Sequence, residues 1–298
     1  MDEETLNKIM KAGRIAAQVR EEGAKKLSVV GTSFLTTMDY CEKRILELGG
    51  GLAWAQLAVN DVAAHYCPDD DDTSVSKEGD LIKVDIGVHI DGYIADNAMT
   101  VIAGNSNEWK ELITTSQKAL NAAIKLVRPG VQLWELGEAQ YSEAEAKGFT
   151  TIKNLCGHTL GRYRVHGGIS IPTFNNKDKT ELKEDMQIAI EPFITNGTGL
   201  VKDKGKATVF MMGKEKGVRS PYARKIVEFV KPRNGLPFTF RDLTRQFGKG
   251  GTALGLRELH GLGIVRPYPP LAEVAQGMVA QTEHSMIVRD KPIVYTKI

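Results

Sequence analysis

Two apolar segments joined at Asp91-Gly92 constrain this chain more than any other feature. Leu81-Ile82-Lys83-Val84-Asp85-Ile86-Gly87-Val88 reads as a mostly buried strand, and Asp-Gly is a strong signal for a tight hairpin turn. Tyr93 to Ala103 then returns antiparallel. Two acids interrupt the apolar run, Asp85 on one arm and Asp96 on the other. Side chains alternate between the faces of a strand, so a carboxylate from each arm can converge on one point. A buried carboxylate is costly unless it is paired or bound to a metal.

The same interruption recurs elsewhere. Glu191 lies in Ile188-Ala189-Ile190-Glu191-Pro192-Phe193, and Glu283 in Met278-Val279-Ala280-Gln281-Thr282-Glu283-His284. Residues 186–195 and 277–288 are each predicted as one core strand. A single buried acid is as often a hydrogen-bonded structural group as a ligand, but four on apolar strands are hard to ascribe to accident. His158, between Gly157 and Thr159, offers a nitrogen ligand, although a lone histidine is more often structural. One imidazole and four carboxylates form a hard, oxygen-rich set. It suits two first-row divalent cations (Co, Mn, Fe or Zn) bridged by carboxylates.

Helical spacing of apolar residues predicts helices over 4–27, 36–48, 108–127 and 133–147. Helices mixed with antiparallel strands indicate an α+β fold rather than a doubly wound parallel sheet. Residues 200–250 stand apart in composition: thirteen Lys and Arg against four acids leave +9, in a chain whose net charge is +2. Helical periodicity returns there at 221–230, 240–247 and 253–262, which predicts a small basic helical insert. With +2 overall, no specific nucleic-acid partner is expected. No apolar run reaches the roughly 20 residues that span a bilayer, so no membrane partner is expected either. The start, Met1-Asp2-Glu3-Glu4, does not read as a targeting signal. Cys41, Cys67 and Cys156 show no CxxC spacing and argue against a disulfide framework or a thiolate zinc site. The expected location is the cytoplasm.

In combination, Val84-Asp85-Ile86-Gly87-Val88-His89-Ile90-Asp91-Gly92-Tyr93-Ile94-Ala95-Asp96, Asn154-Leu155-Cys156-Gly157-His158, Ile190-Glu191-Pro192-Phe193 and Val279-Ala280-Gln281-Thr282-Glu283-His284 resemble the metal motifs of the methionine aminopeptidases. The insert, with Leu236-Pro237-Phe238 and Tyr268-Pro269-Pro270-Leu271, is similar to that of the type II branch, and the lack of an extension before the catalytic part is similar to archaeal members. The resemblance runs over essentially the whole chain. It implies a pita-bread fold: a catalytic domain of residues 1–195 and 270–298, divided by a winged-helix-like insertion at 196–269. It further implies removal of the N-terminal methionine of nascent polypeptides by a water activated between two divalent ions. Asp85 would chelate one ion, Asp96 and Glu283 would bridge both, and His158 and Glu191 would hold the other. Glu191 would also shuttle the proton. His65, in Asn60-Asp61-Val62-Ala63-Ala64-His65-Tyr66, and His166, in Tyr163-Arg164-Val165-His166-Gly167-Gly168, would contact the scissile amide. The family implies a monomer.

The pocket for the methionine side chain is where the match weakens. The family has a Pro-x-Phe-Pro-like stretch, whereas this chain has Gly51-Leu52-Ala53-Trp54-Ala55-Gln56-Leu57. Trp54 is the candidate aromatic wall, with Tyr268 as a second substrate contact. Cys156 falls near the site and reads as a small buried residue. Asp69-Asp70-Asp71-Asp72 reads as a solvated turn or as an acidic rim for a substrate ammonium group. The basic 200–250 segment reads as a soluble face or as a contact with the ribosome. His89, His260 and His284 receive no role. Two rival readings remain: an Xaa-Pro aminopeptidase or dipeptidase of the same fold, and a binding relative that has lost catalysis.

Overall fold

The computed structural model describes residues 1–214 and 216–297. Helix α1, Glu3–Leu27, begins where the Asp2 side chain accepts from the Thr5 amide at 2.8 Å. Glu3 and Glu4 in its first turn and Lys25 and Lys26 in its last suit the helix dipole. Helix α2, Phe34–Glu47, starts at Ser33 in the same manner. Ile9, Ile15 and Val19 of α1 and Met38 and Ile45 of α2 pack on Val84, Ile86 and Val88, forming the largest apolar core. The predicted hairpin is there. Leu81–Ile90 pairs antiparallel with Tyr93–Ile102 around Asp91-Gly92, and Gly51–Val59 adds a third strand on the other side of Leu81–Ile90.

Helices α3, Lys110–Leu126, and α4, Leu133–Glu145, cover a second apolar core. Leu120, Leu133 and Leu136 pack against Ile188, Ile190 and Met286. Beneath them lies a five-stranded sheet in the order Ile293–Val294, His284–Ile287, Gln187–Ile190, Gly157–Leu160, Ser170–Ile171.

Residues 186–195 and 277–288 do not form the single strands that their apolar pattern predicts; each is broken. Gln187–Ile190 belongs to the five-stranded sheet, while Phe193–Thr195 belongs to a separate three-stranded one. Val279–Gln281 and His284–Ile287 divide in the same way. The two segments run side by side and part at the same level, since Ile190 pairs with His284 and Phe193 with Gln281. Pro192 has no N–H to continue a ladder, which fixes one break. Glu191 and Glu283 lie at these breaks, where the chain passes from one sheet to the next.

Strands Val209–Met212, Phe238–Thr239 and Val265–Tyr268 form a small sheet. Helices α5, Pro221–Val230, and α6, Phe240–Gly261, pack on it around Ile226, Phe238, Leu243 and Leu259. The segment is therefore helices with a sheet, not helices alone: Val209–Met212 and Val265–Tyr268 are too short to show a period-2 pattern. The two helical stretches expected at 240–247 and 253–262 are there, following one another in α6 and parted at Gly248, whose φ of 71° and ψ of 161° are not helical.

The acidic run is an exposed turn at Asp70 and Asp71, as expected, and it is tied to a helix. Asp70 pairs with Arg245 at 2.7 Å and Asp71 with Lys249 at 2.6 Å, both on α6. Arg245 also reaches Asp39. Arg241, fully buried, pairs with Glu42 and donates to the Pro68 carbonyl at 2.7 Å. Basic residues of α6 thus tie it to α2 and to the acidic run.

Candidate metal centre and cleft

The three-stranded sheet aims one face at a cavity of about 510 Å³. Gly87 pairs with Asp96 and Asp85 with Ala98, so the two aspartates lie diagonally on the same face. On the neighbouring strand Gln56 is opposite Asp85, and a bulge between Leu52 and Trp54 brings Trp54 opposite Gly87. The indole lies against Gly87, where an added Cβ would come within 2.3 Å of it. Asp85 receives two hydrogen bonds, from Trp54 Nε1 at 2.7 Å and Gln56 Nε2 at 2.9 Å.

From the other sheet come Glu191 and Glu283 at the strand breaks and His158 on Gly157–Leu160. His158 Nε2 faces Asp96 Oδ2 at 3.5 Å and Glu191 Oε1 at 3.6 Å. Ligand atoms of Asp96, His158 and Glu283 lie within 4.8 Å of one another, all in buried side chains. The Glu283 amide donates to the Ala98 carbonyl at 2.9 Å, and the Ser285 hydroxyl donates to the Asp96 carbonyl at 2.7 Å. These bonds bind the two sheets together at the carboxylates.

Burial and mutual repulsion push the pKa values of Asp96, Glu191 and Glu283 well above the carboxylate range. Burial pushes Asp85 up to about 6, against the pull of the Trp54 and Gln56 donors. Glu283 Oε1 is buried without a donor among the described residues. Burial pulls His158 down to about 3, so it presents a neutral nitrogen at neutral pH. Four converging acids, an acceptor lacking a donor and an unprotonated imidazole are a donor set that fits two divalent cations.

The remaining sequence candidates line the same cavity. The ring of His166 meets that of His158 edge-on with centroids 4.8 Å apart. His65 meets Tyr268 edge-on at 5.5 Å. Its left-handed backbone, φ 66°, is uncommon for a residue with a side chain and turns the chain sharply after Val62–Ala64. Burial pulls His65 down to about 4, with His166 adding to the effect. Cys156, expected to be buried, is exposed on the cavity wall because it precedes the strand that carries His158. His89 packs on Tyr163, His260 is exposed, and His284 Nδ1 lies 3.0 Å from the Thr296 hydroxyl.

Four contributors have no assignment from sequence. Gln56 is one; its proximity to Trp54 at strand spacing is the available signal. Gln281, whose Nε2 lies 3.3 Å from Glu191 and 3.5 Å from Glu283, is another, and it falls inside a motif already singled out. Met211 and Arg266, from the insert, carry no signal at all.

Residues 7–221 match the model of metallopeptidase family M24. A methionine aminopeptidase of Thermococcus onnurineus is 43% identical over 283 residues, covering 94% of this chain and 95% of that protein. Among solved structures, the methionine aminopeptidase from Rickettsia prowazekii is similar with a TM-score of 0.72 at 20% identity, covering 100% of this chain and 98% of the other. A thermophilic Arx1 is similar with a TM-score of 0.86 at 18% identity, covering 97% and 90%. These structural likenesses bear out the pita-bread fold.

Proposed function

The chain belongs to metallopeptidase family M24, and we propose that it works there as a methionine aminopeptidase of the archaeal kind, removing the first methionine of new proteins. The observation that carries this reading is the convergence of four carboxylates and three histidines on one open cavity. A binding relative that had lost catalysis would have no need to keep so many acids at such electrostatic cost.

Asp85, Asp96, Glu283, His158 and Glu191 would hold two divalent cations. When bound, the pair supplies Lewis acidity and lowers the pKa of water to the neutral range. The residues of the chain do the rest. Glu191 faces the cluster from a strand break and would take the proton of the attacking water and pass it to the leaving amine. His65 and His166 would donate to the scissile carbonyl as negative charge develops there. Tyr268 and Trp54 would flank the substrate, the indole contributing its face because its N–H is committed to Asp85.

The test is residue release by metal-stripped protein, before and after addition of Co²⁺, Mn²⁺ or Fe²⁺. The substrates are peptides differing only in their first residue, plus one Xaa-Pro peptide. Metal-dependent release of methionine alone is expected. Release from the Xaa-Pro peptide alone would move the assignment to the Xaa-Pro enzymes, and no release would sink it.

Within the same proposal, the protein works as a monomer, residues 196–269 form the insertion, and exposed basic residues of that segment meet the ribosome where new N-termini emerge. Lys202, Lys206, Lys214 and Lys216 are exposed. Co-sedimentation with ribosomes that survives charge reversal of these four would remove the contact.

A further inference from the structure

We propose that Arg266 selects substrates with an acidic side chain a few residues past the methionine; this rests on the aminopeptidase reading above. The small sheet of the insert has two faces. Phe210, Met212 and Val265 point into its own core. Val209, Met211, Arg266 and Tyr268 alternate with them and line the cavity, paired Val209 with Tyr268 and Met211 with Arg266. One face of this sheet is therefore a wall of the cleft, and Arg266 is its one charged member among the four.

Its position along the cleft comes from contacts. The metal ligands meet His158, and His158 meets His166. His166 and Arg266 line the same cavity. On the other wall, His65 meets Tyr268, and the Arg266 guanidinium lies 5.2 Å from the Tyr268 ring centroid. Arg266 thus stands on the wall of the cleft that carries Tyr268 and His65. A peptide with its amino end at the carboxylates and its scissile bond at the histidines leaves past Arg266.

Arg266 is free to act there. It is exposed, and no carboxylate among the described residues forms an ion pair with it. Its planar fork is already oriented over Tyr268 and can take a carboxylate with two parallel hydrogen bonds. A lysine or arginine at the same substrate position would meet like charge.

The experiment uses the metal-loaded enzyme and peptides Met-Gly-X-Y-Trp in which X or Y is Asp, Asn or Lys. The readout is the ratio of kcat/KM for Asp over Lys, which a general loss of activity does not alter. The expected ratio is about threefold to tenfold, falling in high salt as a partly exposed ion pair should. Arg266→Lys should keep a ratio above one, and Arg266→Glu should invert it. A ratio near one in the unaltered protein, or one that Arg266→Glu leaves in place, overturns the inference while methionine release from the Asn peptide upholds the activity. Absence of release from every peptide removes both.

Discussion

The indole N–H of Trp54 donates to Asp85 Oδ1 at 2.7 Å while Gln56 holds the other carboxylate oxygen at 2.9 Å. The residue expected to form an aromatic wall thus also orients a candidate ligand. Groups that hydrogen-bond metal ligands fix their geometry, and their loss typically lowers metal affinity by about 10–100-fold. Trp54→Phe, which keeps the ring and removes the donor, should weaken Mn²⁺ or Co²⁺ binding by about tenfold in calorimetry. Gln56→Ala should act in the same direction. Affinity unchanged in both variants would reduce Trp54 to a cavity wall.

Removing ligands and removing amide-facing histidines should separate cleanly. Asp96→Ala is expected to abolish turnover and lower the metal content, because its buried carboxylate is one of the four that converge on the cavity. His65→Ala should lower kcat by about 10²–10³-fold with metal stoichiometry near normal. Metal analysis of the purified variants decides, and metal loss in His65→Ala would contradict its role.

Proton release tests the carboxylates. The folded value of Asp85, about 6, exceeds the unfolded value of about 3.9. A group raised in this way favours the fold below its unfolded value and loses that contribution as pH rises through the folded one. Metal-free protein should therefore surrender this part of its stability between about pH 4 and 6, and bound cations should restore it by displacing protons. His158, at about 3, has no proton to give. Calorimetry at pH 6 in buffers of different ionisation enthalpy should show net proton release. Asp96, Glu191 and Glu283, also raised by burial and mutual repulsion, should add to this release. Binding without proton release at pH 6 would argue against ionisation of these acids on loading.

Arg241 anchors the insert through Glu42 and the Pro68 carbonyl. Arg241→Leu leaves the half-buried Glu42 without its partner, at a cost of about 1–3 kcal/mol. Urea denaturation should show this loss, and KM should rise because the insert supplies a wall of the cleft. Adding Glu42→Gln should recover part of the stability. A variant with Arg241→Leu alone and an unchanged midpoint would show that the anchor lies elsewhere.

Chemistry is more legible in this sequence than connectivity. Asp85 and Asp96 can be placed together because a hairpin with an Asp-Gly turn fixes its own register. Glu191 and Glu283 stand out as acids in apolar runs, yet the strands that carry them read as continuous. An apolar run does not say which neighbour it pairs with, so the shared break between two sheets leaves no local trace beyond Pro192. The pairing of Asp70 and Asp71 with α6 is illegible for the same reason: its partners lie more than 170 residues away. Arg266 sits on a strand of four residues, too short for its face to be read.

The candidate ligands are scattered from Asp85 to Glu283, and two come from strand ends that part side by side. During synthesis the hairpin acids emerge early and must wait, as a half-built pair, until the strand Val279–Gln281 can thread in beside Phe193–Thr195. No stretch shorter than Asp85 to Glu283 contains a complete centre. An enzyme that trims newborn proteins is thus itself inert for most of its own birth, and any trimming in that interval falls to copies completed before it.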